Sequence, residues 1–107
     1  MAERADKKVV YQKIHEYLKV LEENHIKVWH MYLYGSYAKG TYGSESDIDL
    51  AIFLDKENLD GFEEDAELMK LRRKVDMRIE PHPFTRHDFE ETDPYIEEII
   101  RTGERIV

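Results

Sequence analysis

Tyr34-Gly35-Ser36-Tyr37-Ala38-Lys39-Gly40, followed after a short polar stretch by Ser46-Asp47-Ile48-Asp49-Leu50, is the part of the chain whose reading decides the fold. An apolar run flanks it on each side. Residues 28–34 are rich in β-branched, aromatic and other apolar side chains, which at this length favours a buried strand over a helix. Gly35-Ser36 stops that strand. Residues 37–41 are predicted to form a short helix or turn opening with the serine, and Gly40, Gly43 and Ser44 mark a loop. Residues 47–54 read as a second strand. Side chains alternate along it, so Ile48, Leu50, Ile52 and Leu54 share the core face while Asp47, Asp49, Ala51 and Phe53 share the other. Both aspartates therefore point the same way from its first residues, their bases roughly 7 Å apart.

If Ser36 and the two aspartates serve one site, the first strand ends where the second begins, and the pair is antiparallel. The ten residues between Ser36 and Asp47 agree, being short for the crossover that a parallel pair needs. A third strand is expected over residues 75–81, with Val75, Met77 and Ile79 inward, Asp76, Arg78 and Glu80 outward, and Pro81 and Pro83 ending it. A helix over residues 62–74, its apolar stripe formed by Phe62, Ala66 and Met69 beside Leu68 and Leu71, would make the connection a right-handed crossover to a parallel strand.

Residues 6–24 carry apolar Val10, Ile14, Tyr17, Leu18 and Leu21 on one helical face and charge on the other. A last helix starts with Asp93 as N-cap and Pro94 in the first position, buries Tyr95, Ile96, Ile99 and Ile100, and stops at Gly103. Ile106 and Val107 suggest a short terminal strand. The expected fold is therefore α+β, one domain over residues 1–107: a small mixed β-sheet with helices packed on one face and three carboxylates gathered at one end of the other.

The 107 residues hold 16 Lys and Arg against 24 Asp and Glu, a formal charge of -8. That charge opposes the phosphate attraction on which polynucleotide binding relies, so no direct polynucleotide binding is expected. A metal-bound nucleotide or a basic protein suits it better. With no cysteine in the sequence, thiolate metal sites, disulfides and cysteine nucleophiles are excluded. Residues 1–8 lack the apolar core of a signal peptide, and no run reaches membrane-spanning length, so a soluble cytoplasmic protein is expected.

Three unpaired carboxylates at one end of a sheet repel one another unless cations sit among them. Oxygen-only ligands suit Mg²⁺, which keeps waters and completes its shell with substrate phosphates. Two such ions can clamp the attacking and leaving oxygens of an in-line displacement at phosphorus. Gly35 lets a phosphate approach the backbone, and Ser36 offers N–H and hydroxyl donors at a helix start. Lys39, one turn on, adds positive charge near a triphosphate. Arg78 either binds phosphate or holds Asp76 in place. The histidines, His15, His25, His30, His82 and His87, show no metal-ligand spacing and are assigned to surface or core roles. Tyr32, Tyr34, Tyr37 and Tyr42 surround the site, with packing the favoured role and base stacking the alternative.

Gly35-Ser36, ten residues and then Asp47-Ile48-Asp49 resembles the signature of the DNA polymerase β-like nucleotidyltransferase superfamily. Val75-Asp76-Met77-Arg78-Ile79-Glu80-Pro81 resembles the strand bearing its third acid. The short length and the ending over residues 95–107 are similar to the minimal nucleotidyltransferases, the MNT proteins. The resemblance implies an antitoxin partnered with a HEPN-domain ribonuclease toxin, moving AMP from ATP to a toxin tyrosine. It further implies that Asp47, Asp49 and Asp76 bind metal, that Asp76 accepts the proton of the attacking hydroxyl, and that Gly35 and Ser36 hold the triphosphate. Relatives often place arginine just after Gly-Ser, where this chain has Tyr37 and then Lys39. Two other readings are an acidic antitoxin that binds its partner without catalysis, and a nucleotidyltransferase acting on a small molecule.

Overall fold

The two apolar runs flanking the Gly-Ser stretch form strands β1, Val28–Tyr34, and β2, Ile48–Leu54, and they pair antiparallel. The computed structural model describes residues 2–43 and 46–107, with side chains from residue 7 onward; Ser44 of the expected loop lies outside the described residues. Helix α1, Ala2–Glu23, precedes β1, and the four-residue helix α2, Ser36–Lys39, follows it. Helix α3, Phe62–Leu71, leads through a tight turn at Arg72–Lys74 into β3, Ile79–Phe84, which runs parallel to β2. Two helices follow, α4 at Arg86–Glu90 and α5 at Pro94–Thr102, and β4, Glu104–Arg105, returns antiparallel to β1. The sheet order is β3-β2-β1-β4.

The amphipathic face read for α1 is the face it buries. Val10, Ile14, Tyr17 and Leu21 are solvent-inaccessible and pack with Ile48, Leu50, Ile52 and Leu54 of β2 and with Leu68 and Leu71 of α3. The Tyr17 hydroxyl reaches the buried side of α3 and donates to the Leu68 carbonyl at 2.7 Å. Asp93 caps α5, its carboxylate accepting from the Ile96 N–H at 2.8 Å, with Pro94 next; the helix buries Ile96 and Ile99, but Tyr95, expected on that face, is exposed. The chain end continues the β1 edge beyond β4: Ile106 N–H donates to Met31 O, and Met31 N–H to Val107 O.

The opposite face of the sheet is also covered over part of its length. Tyr32, Ala51 and Phe53 pack against Ile96 and Ile99 of α5, with Phe84 and Phe89 alongside. The expected alternation along β2 is therefore correct in phase, while the non-core face carries a second, smaller apolar layer next to its aspartates. Helix α4 was not foreseen, although Thr85 and Asp88 form a capping box, the signal for such a start.

Three expectations need correction. Strand β3 starts at Ile79, not Val75, because the Val75 and Asp76 N–H groups are both drawn onto the Arg72 carbonyl and are lost to the sheet ladder. Asp76 and Arg78 thus precede the strand, and Met77 is exposed rather than inward. Pro81 and Pro83 lie inside β3 instead of ending it; β3 is an edge strand, and prolines two residues apart both turn their missing N–H groups away from β2. The buried stripe of α3 is Glu64, Leu68 and Leu71, while Phe62 is 83% exposed. Glu64 holds that position by accepting from Lys56 Nζ at 2.9 Å and from the Asp60 N–H at 2.8 Å.

No described helix is long and apolar enough to cross a membrane. Ile52 sits on a central strand with no solvent access. Its replacement by alanine is expected to lower stability by about 2–5 kcal/mol, read as a shifted urea midpoint at unchanged slope.

Candidate functional site

The β1–β2 register sets Tyr34 opposite Asp49, so the first residue beyond β1, Gly35, lies against the start of β2. Its backbone conformation calls for glycine, and the approach is close. Gly35 has φ +73, and a Cβ there would be driven onto the Asp49 carboxylate, 3.3 Å from its Cγ and nearer still to Oδ2. The backbone of the Gly-Ser element and one acid of the Asp-x-Asp pair are therefore in direct contact. Asp47 is exposed immediately before β2, and no described residue donates to its carboxylate. Its neighbour Ile48 is tied across to the third element, its N–H donating to the Arg78 carbonyl at 2.8 Å.

Asp76 is reached from the other side. Arg78 grips it with two side-chain contacts, Nη2 to Oδ2 at 3.1 Å and Nε to Oδ1 at 3.2 Å, and its own backbone N–H adds a third at 2.8 Å. Burial works to raise the Asp76 carboxyl, but these hydrogen bonds and the guanidinium charge outweigh it and hold the group below the usual carboxylate range. Of the two roles read for Arg78, the geometry shows it holding the acid. Among the described residues, no three acidic or histidine side chains converge into a set able to hold an ion unaided. The donor set nonetheless fits Mg²⁺: Asp47 and Asp49 present carboxylate oxygens, the second of them against the Gly35 backbone.

Helix α2 is anchored by Tyr37, which is fully buried and stacks on Tyr42 at 4.5 Å, while its hydroxyl meets Arg78 Nη1 at 3.4 Å. Pointed into the core, Tyr37 is a structural pin. Lys39 instead is exposed and lines a crevice of about 210 Å³ between α2 and α5, together with Tyr34, Gly35, Tyr95, Glu98, Ile99 and Thr102. At its edge the Tyr34 and Tyr95 hydroxyls stand 3.3 Å apart. Burial, reinforced by Tyr95 and by the Asp49 charge, pushes the Tyr34 phenol well above its usual range, so it stays protonated. Ser36 opens α2 as expected, its carbonyl accepting from the Thr41 N–H.

The sequence reading missed His82. Its Nε2 lies 3.8 Å from Asp49 Oδ1, and its ring sits 5.8 Å from that of Tyr34. The signal was present in the strand alternation, since His82 pairs with Ala51 on the face that carries Asp49. Assigning the histidines by metal-ligand spacing concealed it.

A mixed sheet with a glycine-serine turn pressed on an Asp-x-Asp strand is the architecture of a nucleotidyltransferase fold. The family model for polymerase β nucleotidyltransferases matches residues 12–107, and the chain belongs to that family. Over 62 residues it is 36% identical to a candidate protein adenylyltransferase of Methanocaldococcus jannaschii, a match covering 58% of this chain and 61% of that protein. The chain thus spans under two thirds of that relative's length. Among solved structures it resembles a toxin–antitoxin with AMP-PNP, at TM-score 0.61 and 24% identity, covering 91% of this chain and 72% of that one. It also resembles a mutant of the toxin–antitoxin MntA–HpeT, at TM-score 0.59 and 23% identity, covering 87% of this chain and 70% of that one. These two likenesses establish the fold.

Arg78→Met is expected to move the Asp76 titration upward, as read by carboxyl NMR shifts. Because the Asp76 pKa is depressed on folding, its stabilising contribution is fully present above the unfolded-state pKa and is lost as pH falls through the folded value. The variant should therefore lose stability at neutral pH and show a weaker acid-side decline than the wild type, measured by urea unfolding across that window.

Proposed function

We propose that this chain is a Mg²⁺-dependent protein adenylyltransferase that moves AMP from ATP to a hydroxyl of a partner protein, a tyrosine of a HEPN-type toxin, and so acts as an antitoxin. The observation that carries the reading is the contact between the Gly35 backbone and the Asp49 carboxylate, which joins a phosphate-binding turn to a metal-binding acid. The protein adenylyltransferase relative and the fold shared with toxin–antitoxin structures, one with AMP-PNP, support it.

Asp47 and Asp49 would hold the metal, two Mg²⁺ ions in the full site, with Asp76 completing it. Bound there, divalent ions supply charge neutralisation of the triphosphate and of the oxygens entering and leaving phosphorus. The chain's own residues account for the rest. Gly35 leaves room for phosphate at the backbone, Ser36 offers donors at the start of α2, and Lys39 puts a positive charge in the adjoining crevice. Arg78 holds Asp76 in place and ionised, and Asp76 would take up the proton of the attacking hydroxyl. The net charge of -8 favours a basic protein surface as the docking partner over free nucleic acid.

The test is to incubate the chain and the product of the neighbouring gene with ATP and Mg²⁺, then take intact masses. The partner is expected to gain AMP units, and Asp47→Ala or Asp49→Ala to reduce transfer on the order of 10²-fold or more. Neutralisation of the partner that persists in both variants, without any mass change, would instead establish a non-catalytic binding antitoxin.

A further inference from the structure

One phenol at the site is left unused by the proposed transfer. All seven tyrosines are described, and only Tyr95 is exposed, with 55% of its surface accessible. Tyr17, Tyr32 and Tyr37 are buried in the two apolar layers, Tyr42 is stacked on Tyr37, and Tyr11 on α1 is partly buried against the core under Lys7. Tyr34 is half-buried beside His82. Tyr95 stands on the first turn of α5, which packs across the sheet through Ile96 and Ile99 and so fixes where its ring projects. Its hydroxyl is positioned by Tyr34 at 3.3 Å, and its side chain lines the same crevice as Gly35 and Lys39. Tyr34 is in turn the cross-strand partner of Asp49. The molecule thus holds a solvent-open tyrosine hydroxyl of its own, the acceptor chemistry proposed for the partner, next to the residues that would grip the triphosphate.

We infer that Tyr95 is an internal acceptor, so that the chain adenylylates itself at this residue when no partner is present. The inference rests on the adenylyl-transfer reading above. In the step, the Tyr95 phenolic oxygen bonds to the α-phosphorus of ATP and the bond from that phosphorus to the oxygen bridging to the β-phosphate breaks. Pyrophosphate leaves with the electron pair, and the phenolic proton passes to a site carboxylate or to water. The product is an O-AMP-tyrosine on α5 whose nucleotide occupies the crevice beside Lys39. A self-modified chain would therefore present a filled site to further ATP, linking its activity to partner supply.

Incubation of the wild-type chain alone with ATP and Mg²⁺ is expected to add one AMP by intact mass, and fragmentation should place it on Tyr95. Tyr95→Phe removes only the hydroxyl of an exposed side chain, and circular dichroism checks that its fold is retained. That variant should show no gain, and the fraction of wild type modified per unit time should be unchanged by tenfold dilution. AMP found on another residue, retained in the Tyr95→Phe variant, or formed more slowly on dilution overturns the inference. A parallel reaction with the neighbouring-gene product separates the two readings. If AMP appears on that protein and never on Tyr95, the internal acceptor is rejected while adenylyl transfer stands; if AMP appears on neither, both fall.

Discussion

The site depends on one close approach, the Gly35 backbone against the Asp49 carboxylate. Neither residue could produce it alone. Gly35 must take a positive φ that side chains disfavour, and Asp49 must face it from the neighbouring strand, which the Tyr34–Asp49 register guarantees. A one-residue slip of that register would turn Asp49 into the core and bring Leu50 or Ile48 to the glycine. What prevents the slip is the apolar layer beneath: Ile48, Leu50, Ile52 and Leu54 are buried against α1 and α3, so a shifted strand would have to expose them.

Both faces of the sheet take part in holding this arrangement. Tyr37 closes the α1 side under α2, and its hydroxyl touches Arg78, while Arg78 clamps Asp76 and its carbonyl receives the Ile48 N–H. The short helix, the acid before β3 and the start of β2 are thus linked through one arginine. On the other face, α5 covers Tyr32, Ala51 and Phe53 but leaves Asp49, His82 and the Tyr34–Tyr95 pair at its margin. The crevice is the place where that second layer stops.

Charge distribution fits this division. At the sheet end Asp76 is paired with Arg78, Asp49 lies near His82, and Asp47 is exposed. The Arg78 guanidinium and its hydrogen bonds, set against burial, hold the Asp76 carboxyl low and keep it charged at neutral pH. Tyr37, directly after Gly-Ser, is spent on packing, and Lys39 is the cation lining the crevice.

Much of the fold was legible because it follows from local periodicity. The faces of α1 and β2, the glycine stop after β1 and the Asp93–Pro94 start of α5 each express one rule acting within a few residues. Short separation likewise made β1 and β2 antiparallel, and the Gly-Ser and Asp-x-Asp spacing pointed to the family that contains the chain. The start of β3 was not legible, because competition for the Val75 and Asp76 N–H groups is settled by the turn at Arg72 and leaves no mark in side-chain alternation. Nor were the clamp of Arg78 on Asp76, the approach of His82 to Asp49, or the Tyr34–Tyr95 contact, which joins residues 61 apart in sequence. The sequence by itself determined which residue types form strands, helices and acids, since those preferences are local. Only the tertiary structure decided which of these side chains meet, because contact across strands and layers depends on register and packing that distant parts of the chain impose together.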